Sequence, residues 1–423
     1  MFRSLAARAL LALIVGLAAG AACHALGNPG LNSAAEIIEA VGGLWLNLLR
    51  MTIVPLVFCL LVTGIVSVAD AAATGKLAAR AILLFSVGML IAAIYGTVAS
   101  QGALALWPVS PDAAAALRAG AGGVDLAQLP AAGLAEWLKS LAPSNPIQAA
   151  AESAMLPLVV FGMFFGLAAT RLSPSRKTVV LDLFSAVADT MIVIVRWVLW
   201  AAPLGVFALS LGVGLRAGLG AAGAIIQYVI IVSVITASIT LLPYIAVALK
   251  RGVPLGAFAR AVAPVQVLAF STQSSLACLP AMVERAQDDL HIPPRVTGLV
   301  LPLAVAVFRL TGPVANLSVA YFCAHIFGVH PGLPQMIGAV AVAWTISVGS
   351  VGLPGQVSFL ASMVPICITL GVPIDLLPIL LAVEVAPDIF RTIGNVTGDL
   401  GAVAVLNRPG DEVDVLDPAS APV

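Results

Sequence analysis

The sixteen residues Glu384–Asp399 read E-V-A-P-D-I-F-R-T-I-G-N-V-T-G-D. They hold four formal charges (Glu384, Asp388, Arg391, Asp399), the amide of Asn395 and the hydroxyls of Thr392 and Thr397. At about 100° per residue, Glu384, Asp388, Arg391, Asn395 and Asp399 fall within an arc of about 80°, with Thr392 at its edge. The spacing predicts one helix with one polar stripe. The surrounding chain is apolar: of 423 residues, 61% are hydrophobic and 9% charged, and the mean hydropathy is +1.09. A soluble domain carries about 25% charged residues. The composition therefore predicts an all-α polytopic membrane protein. A charge at the bilayer centre costs about 2.5–3.5 kcal/mol. The stripe must then face protein or a water-filled cavity, which makes it the candidate functional site.

Other classes fall away on similar grounds. The apolar runs are far longer than the alternating segments of about ten residues in a membrane β-barrel. Zero net charge implies no nucleic-acid partner. The five cysteines (Cys23, Cys59, Cys278, Cys323, Cys367) and the four histidines lack metal-ligand spacing, so no metal cluster or cofactor is expected. An enzyme would need a nucleophile–base pair or a metal cluster, and the chain offers neither. Arg3 and Arg8 before Leu10–Ala22, with Ala-Ala-Cys23, have the outline of a signal peptide. They are read as a first transmembrane helix in a chain full of them.

Spanning segments are predicted near Phe2–His24, Ala34–Val68, Leu77–Trp107, a broken fourth (Leu134–Leu141, then Pro143–Pro146, then on to Thr170), Val179–Leu211 and Ala221–Leu249. Residues 108–130 read as an external loop. After Arg260 the apolar segments are interrupted by two tips, S-T-Q-S-S-L-A-C-L-P (Ser271–Pro280) and S-V-G-S-V-G-L-P-G-Q (Ser347–Gln356). A spanning segment near Val296–Ile326 lies between them, and the stripe helix runs to about Leu406. Placing both termini in the cytoplasm puts thirteen of the twenty Lys and Arg inside, and only Arg118, Lys139 and Arg216 outside. Arg50, Arg196, Arg309 and Arg391 remain at membrane depth. The two tips lie about 75 residues apart and open to opposite faces, as inverted repeats do. Broken segments at matched positions are the sequence mark of a transporter's midplane site. The plainer alternative is two helical hairpins that only pack.

With G-G-L-W-L-N-L-L-R-M-T-I-V-P-L-V-F (Gly42–Phe58), P-S-N-P, L-P-L-V-V-F (Leu156–Phe161) and A-P-L-G-V-F-A-L (Ala202–Leu209), the tips and D-I-F-R-T-I-G-N-V-T-G-D complete a pattern. It resembles the dicarboxylate/amino acid:cation symporters, relatives of glutamate transporters, over about residues 1–408. The resemblance implies eight transmembrane helices plus two re-entrant helical hairpins in a homotrimer with an elevator mechanism. It implies mainly scaffold helices over residues 1–250, with the third and sixth spanning helices interleaved as transport-domain elements. A transport core over residues 251–408 and a disordered cytoplasmic tail over 409–423 would follow. The setting would be an inner or plasma membrane. The solute would be a small anion: aspartate or glutamate, or a C4-dicarboxylate, with H+ or Na+ co-transported. A channel or a substrate-sensing receptor on the same fold is the alternative.

Carried over by position, Asp388 resembles the acceptor for a substrate amino group, Arg391 the clamp for a side-chain carboxylate, and Thr392 and Asn395 the groups meeting the backbone carboxylate and amino groups. A guanidinium fork suits a planar carboxylate independently of any family. Asp388 favours aspartate or glutamate over succinate or fumarate. An ion pair of Arg391 with Asp388, three residues earlier, is the structural alternative. Ser274, Ser275, Gly352, Leu353 and Gly355 would add contacts from the tips. Asp399 resembles a sodium ligand, and Glu384, Asp388 and Asp399 are candidate proton carriers. The chain departs from the family where relatives have Asn-Met-Asp-Gly-Thr and it has Arg309-Leu310-Thr311-Gly312-Pro313. Gln273 stands where many relatives have arginine. Thr311 is left as a possible cation ligand, and Arg309 is expected to stand near Asp399 as a built-in cation replacing one sodium. A structural pair with Asp399 or Glu384, or snorkelling to an interface, is the plainer reading of Arg309.

Overall fold

The computed structural model describes residues 5–73, 75–120, 139, 142–217, 220–349 and 355–407. Among these residues every regular element is a helix. The first three spanning segments are α1 (Leu5–Leu26), α2 (Pro29–Ala73) and α3 (Lys76–Leu106). The predicted external loop contains a helix, α4 (Pro111–Gly120). Proline at its first position presets φ, and the alanine run has high helix propensity. The rest of that loop, most of the predicted Leu134–Leu141 piece and the predicted tail lie outside the described residues.

Prolines cut the later spans. In α5 (Pro146–Ala151) the Asn145 side chain caps the helix, accepting from Ile147 N at 3.0 Å and Gln148 N at 3.2 Å. α6 (Met155–Ala169) follows. The segment predicted as one helix over Val179–Leu211 is two, α7 (Pro174–Trp200) and α8 (Ala202–Ala217), broken at Ala201 ahead of Pro203. The sixth segment is likewise α9 (Gly220–Ser238) and α10 (Leu241–Lys250), broken ahead of Pro243. The next is α13 (Pro294–Val307) and α14 (Thr311–Phe327), with Phe308–Leu310 unwound. In each case a proline has no N–H for the carbonyl four residues back, and its ring crowds that carbonyl. For Pro313 that carbonyl is Arg309 O, which instead accepts from Gly312 N at 3.0 Å.

The first tip joins α11 (Leu255–Thr272) to α12 (Ser275–Asp288), which pack together. The second pair is α15 (Leu333–Gly349) and α16 (Gly355–Leu370), also in contact. The stripe helix is interrupted at Glu384, between α17 (Leu377–Val383) and α18 (Val385–Leu406). Pro387 removes the bond to Val383 O there. Among the described residues, seven helical stretches are long and apolar enough to cross a membrane. One of them, Leu255–Thr272, is the first arm of a predicted hairpin, and the charged α18 is not among the seven.

Two groups of contacts organise the helices. α1 packs along α8, and α2 packs on α6, α7 and α8. Ion pairs Glu39–Arg216 and Asp70–Lys177 reinforce this group. α3 packs along α14, and α18 is surrounded by α9, α10, α11, α12 and α13. Arg50, expected at membrane depth, reaches Asp375 at 2.8 Å and so ties α2 to the segment before α17. Glycines set how closely α18 approaches the broken helices. A β-carbon at Gly401 would stand 2.8 Å from Pro243 Cβ, and one at Gly398 would stand 3.2 Å from Leu310 Cδ2.

Candidate functional site

Glu384 stands at the one-residue interruption between α17 and α18, at the head of the stripe. Glu384 is 7% exposed, with an ion-pair contact at one carboxylate oxygen and a hydrogen bond at the other. Arg391 Nη2 lies 2.6 Å from Glu384 Oε1. The Tyr228 hydroxyl of α9 donates to Glu384 Oε2 at 2.8 Å. Arg391 therefore pairs with Glu384, two turns back, and not with Asp388. The longer glutamate side chain reaches the guanidinium, while Asp388 stays within electrostatic reach of both Arg391 and Arg309. The Arg391 side chain is 12% exposed, and neither its Nε nor its Nη2 has a hydrogen-bond partner among the described residues, so the Glu384 contact is an ion pair without hydrogen-bond geometry. A buried guanidinium with a donor still unused can accept an incoming carboxylate.

Tyr228 was not legible as a site residue, although a signal was present. Its hydroxyl sits in the apolar run I-I-Q-Y-V-I-I (Ile225–Ile231), and a buried tyrosine hydroxyl needs a partner. That partner lies 156 residues along the chain. Tyr228→Phe removes one hydrogen bond to a buried charged group, with an expected cost of about 1.5–3 kcal/mol. A lowered melting temperature of the purified protein, with expression retained, is the outcome that checks it.

Asn395 and Thr311 join α18 to the start of α14. The backbone N–H of Thr311 can only donate, and it does so to Asn395 Oδ1 at 3.0 Å. This satisfies an N–H that opens a helix and would otherwise have no partner. It also fixes which end of the amide faces α14. Thr311 Oγ1 lies 2.9 Å from the same Oδ1 and 3.0 Å from Arg391 O. The Asn395 oxygen is thus committed, and its NH2 group is the end available to a solute. The Thr392 hydroxyl donates to Asp388 O of its own helix at 3.1 Å, so that hydrogen is already used.

Arg309 lies in the unwound segment, with Phe308 and Leu310 buried on either side. Asp399, one turn beyond Asn395, is 0% exposed, and neither carboxylate oxygen has a hydrogen-bond partner among the described residues. Arg309 acts electrostatically on Asp399 and on Asp388. The Cys278 thiol of α12 is a further titratable group near Asp399. Among the described residues no group of three or more His, Cys, Asp or Glu stands in metal-binding proximity.

At the first tip Gln273 is left-handed, with φ 50°, and Ser274 caps α12 by accepting from Ala277 N at 3.3 Å. Ser275 is the first residue of α12. Both arms of this hairpin pack on α18. Gly355 opens α16, whereas Gly352 and Leu353 lie outside the described residues.

Residues 5–408 match the sodium:dicarboxylate symporter family, and the chain belongs to it. Among its relatives is the "Proton/glutamate-aspartate symporter" of Escherichia coli, 28% identical, with 96% of this chain and 92% of the relative covered. The "Proton/sodium-glutamate symport protein" of Bacillus subtilis is 29% identical, with 96% and 92% covered. The "C4-dicarboxylate transport protein" of Azorhizobium caulinodans is 27% identical, with 89% and 84% covered.

Proposed function

We propose that the protein is a secondary active symporter for acidic amino acids or C4-dicarboxylates, coupled to H+ or Na+. The observation that carries this reading is the buried Arg391 guanidinium, held from behind by Glu384 and retaining an unused donor. Asp388, within reach of the same guanidinium, supplies the opposite charge. Together they read a zwitterion bearing an extra acid, so aspartate and glutamate fit better than succinate. The Asn395 NH2 group is a further solute contact. The Ser274 tip and the second hairpin close over the stripe from opposite faces.

Contacts among the helices favour alternating access by an elevator movement. α1, α2 and α5–α8 form the scaffold, in a homotrimer within an inner or plasma membrane, with both termini cytoplasmic. α3 and α9–α18 carry the solute, with α18 as the eighth crossing. The close packing of α18 on α9–α13 and of α3 on α14 suits a transport unit moving as a body.

Charge supplies the reason for coupling. Glu384, Asp388, Asp399, Arg309 and Arg391 together carry −1, and an acidic amino acid adds another −1. Carrying net negative charge inward against 100 mV costs about 2.3 kcal/mol per charge. A co-transported cation offsets this, and a proton suits the Glu384 and Asp388 carboxylates. Uptake of labelled aspartate into proteoliposomes, with proton and sodium gradients imposed separately, is the test. Accumulation is expected with the outside acidic and sodium absent. Strict sodium dependence, indifferent to the pH gradient, would refute proton coupling.

A further inference from the structure

We infer that Arg309 is a resident cation, whose guanidinium neutralises the buried Asp399 carboxylate in place of a bound metal ion. The inference deepens the proposed cation coupling and rests on that reading for its functional meaning. Its structural content stands apart from any solute.

An ionised carboxylate buried without a partner is strongly disfavoured. Asp399 has no exposure and no hydrogen-bond donor among the described residues. Arg309 is the cation within electrostatic reach of it, with no hydrogen bond between the two side chains. The sequence puts that cation there by a local device. Pro313 cuts the helix and leaves Phe308–Leu310 open, so that Arg309 leaves the chain at membrane depth. The break is then pressed against the Asp399 turn of α18. Gly398, next to Asp399, lies so close that a β-carbon there would be 3.2 Å from Leu310 Cδ2 and 3.3 Å from Phe308 Cε1. The residues flanking Arg309 thus touch the residue flanking Asp399. Against snorkelling to an interface, half-buried Arg309 has buried neighbours on both sides and an Nε enclosed without a partner.

A metal ion beside Asp399 would meet the like charge of the guanidinium. The same guanidinium also acts on Asp388. One fixed charge therefore serves a coupling position and a solute-binding position three turns apart on α18. A fixed cation cannot be exchanged with the bulk, so the coupling ion is not read at Asp399.

The test needs no solute. Melting temperatures of the full chain in detergent are compared in sodium chloride and choline chloride. The native protein is expected to melt at the same temperature in both. Arg309→Met is expected to melt lower, and sodium is expected to raise it by several degrees. Arg309→Lys keeps the native, sodium-indifferent behaviour. Arg309→Met with Asp399→Asn regains stability and loses the sodium response, because the uncompensated charge is gone. The double variant also covers the case in which Arg309→Met alone fails to fold. The inference is overturned if sodium stabilises the native protein and Asp399→Asn abolishes that effect. It is equally overturned if Arg309→Met is no more sodium-sensitive than the native chain, or if the double variant is no more stable than Arg309→Met. A failure of solute uptake would refute the symporter reading and leave these melting results standing.

Discussion

Arg391→Ala is expected to weaken binding of aspartate by about 2–5 kcal/mol, thirtyfold or more, because truncating one partner of a buried charge pair removes both contact and compensation. Isothermal titration of purified protein reads this directly. The same change strands Glu384, which keeps the Tyr228 hydrogen bond but loses its cation. Breaking a buried pair in this way costs about 3–5 kcal/mol of stability. Arg391→Ala with Glu384→Gln separates the two effects. The amide oxygen still accepts from Tyr228 and carries no charge. The double variant should therefore recover its melting temperature and not its affinity. Recovered affinity would mean that Arg391 serves the fold and not the solute.

Gly394 is expected to tolerate nothing larger than hydrogen. A β-carbon there would collide with Thr311 Cγ2 and lie 3.0 Å from Thr240 Oγ1. Thr311 cannot simply withdraw, since its N–H and hydroxyl are bonded to Asn395 Oδ1. Gly394→Ala should cost about 1–3 kcal/mol from overpacking, and about 1 kcal/mol more for each displaced hydrogen bond. Affinity should fall with stability, because Asn395 loses its anchor. Thr311→Ser removes the colliding methyl and keeps the hydroxyl. Adding it to Gly394→Ala should restore most of both quantities in melting and titration experiments.

The stripe was legible because charge is rare in this chain, so five polar positions on one helical face stand out against the lipid-compatible background. What charge spacing could not give was its pairing. Neighbours at three and four residues are the ordinary expectation on a straight helix. The pair spans two turns instead, joining Arg391 to the interruption at Glu384. That interruption and the breaks at Ala201, Ile239–Thr240 and Phe308–Leu310 each precede a proline: Pro387, Pro203, Pro243 and Pro313. The signal was therefore present. Counting apolar runs measures whether a segment can lie in lipid, and does not ask whether its hydrogen-bond ladder is continuous. Tyr228 lay beyond sequence reading for another reason. An apolar run shows that its hydroxyl needs a partner, yet only the fold brings α9 to Glu384. The predicted external loop, residues 108–130, holds α4 within it, since proline and alanine together open a helix as readily as they fill a loop.

The interruption at Phe308–Leu310 has a mechanical consequence. A cut in a helix is ordinarily a joint, where the chain yields first. Here the Phe308 ring stacks on Phe85 of α3, with centroids 4.7 Å apart and planes 14° from parallel. Its N–H still reaches Ala304 O at 2.7 Å, and the Trp344 indole of α15 donates to Ser86 O at 3.1 Å, one residue from that stack. The break is therefore welded to α3, with α15 bonded beside it. Movement of the break is thereby tied to α3 through an aromatic contact.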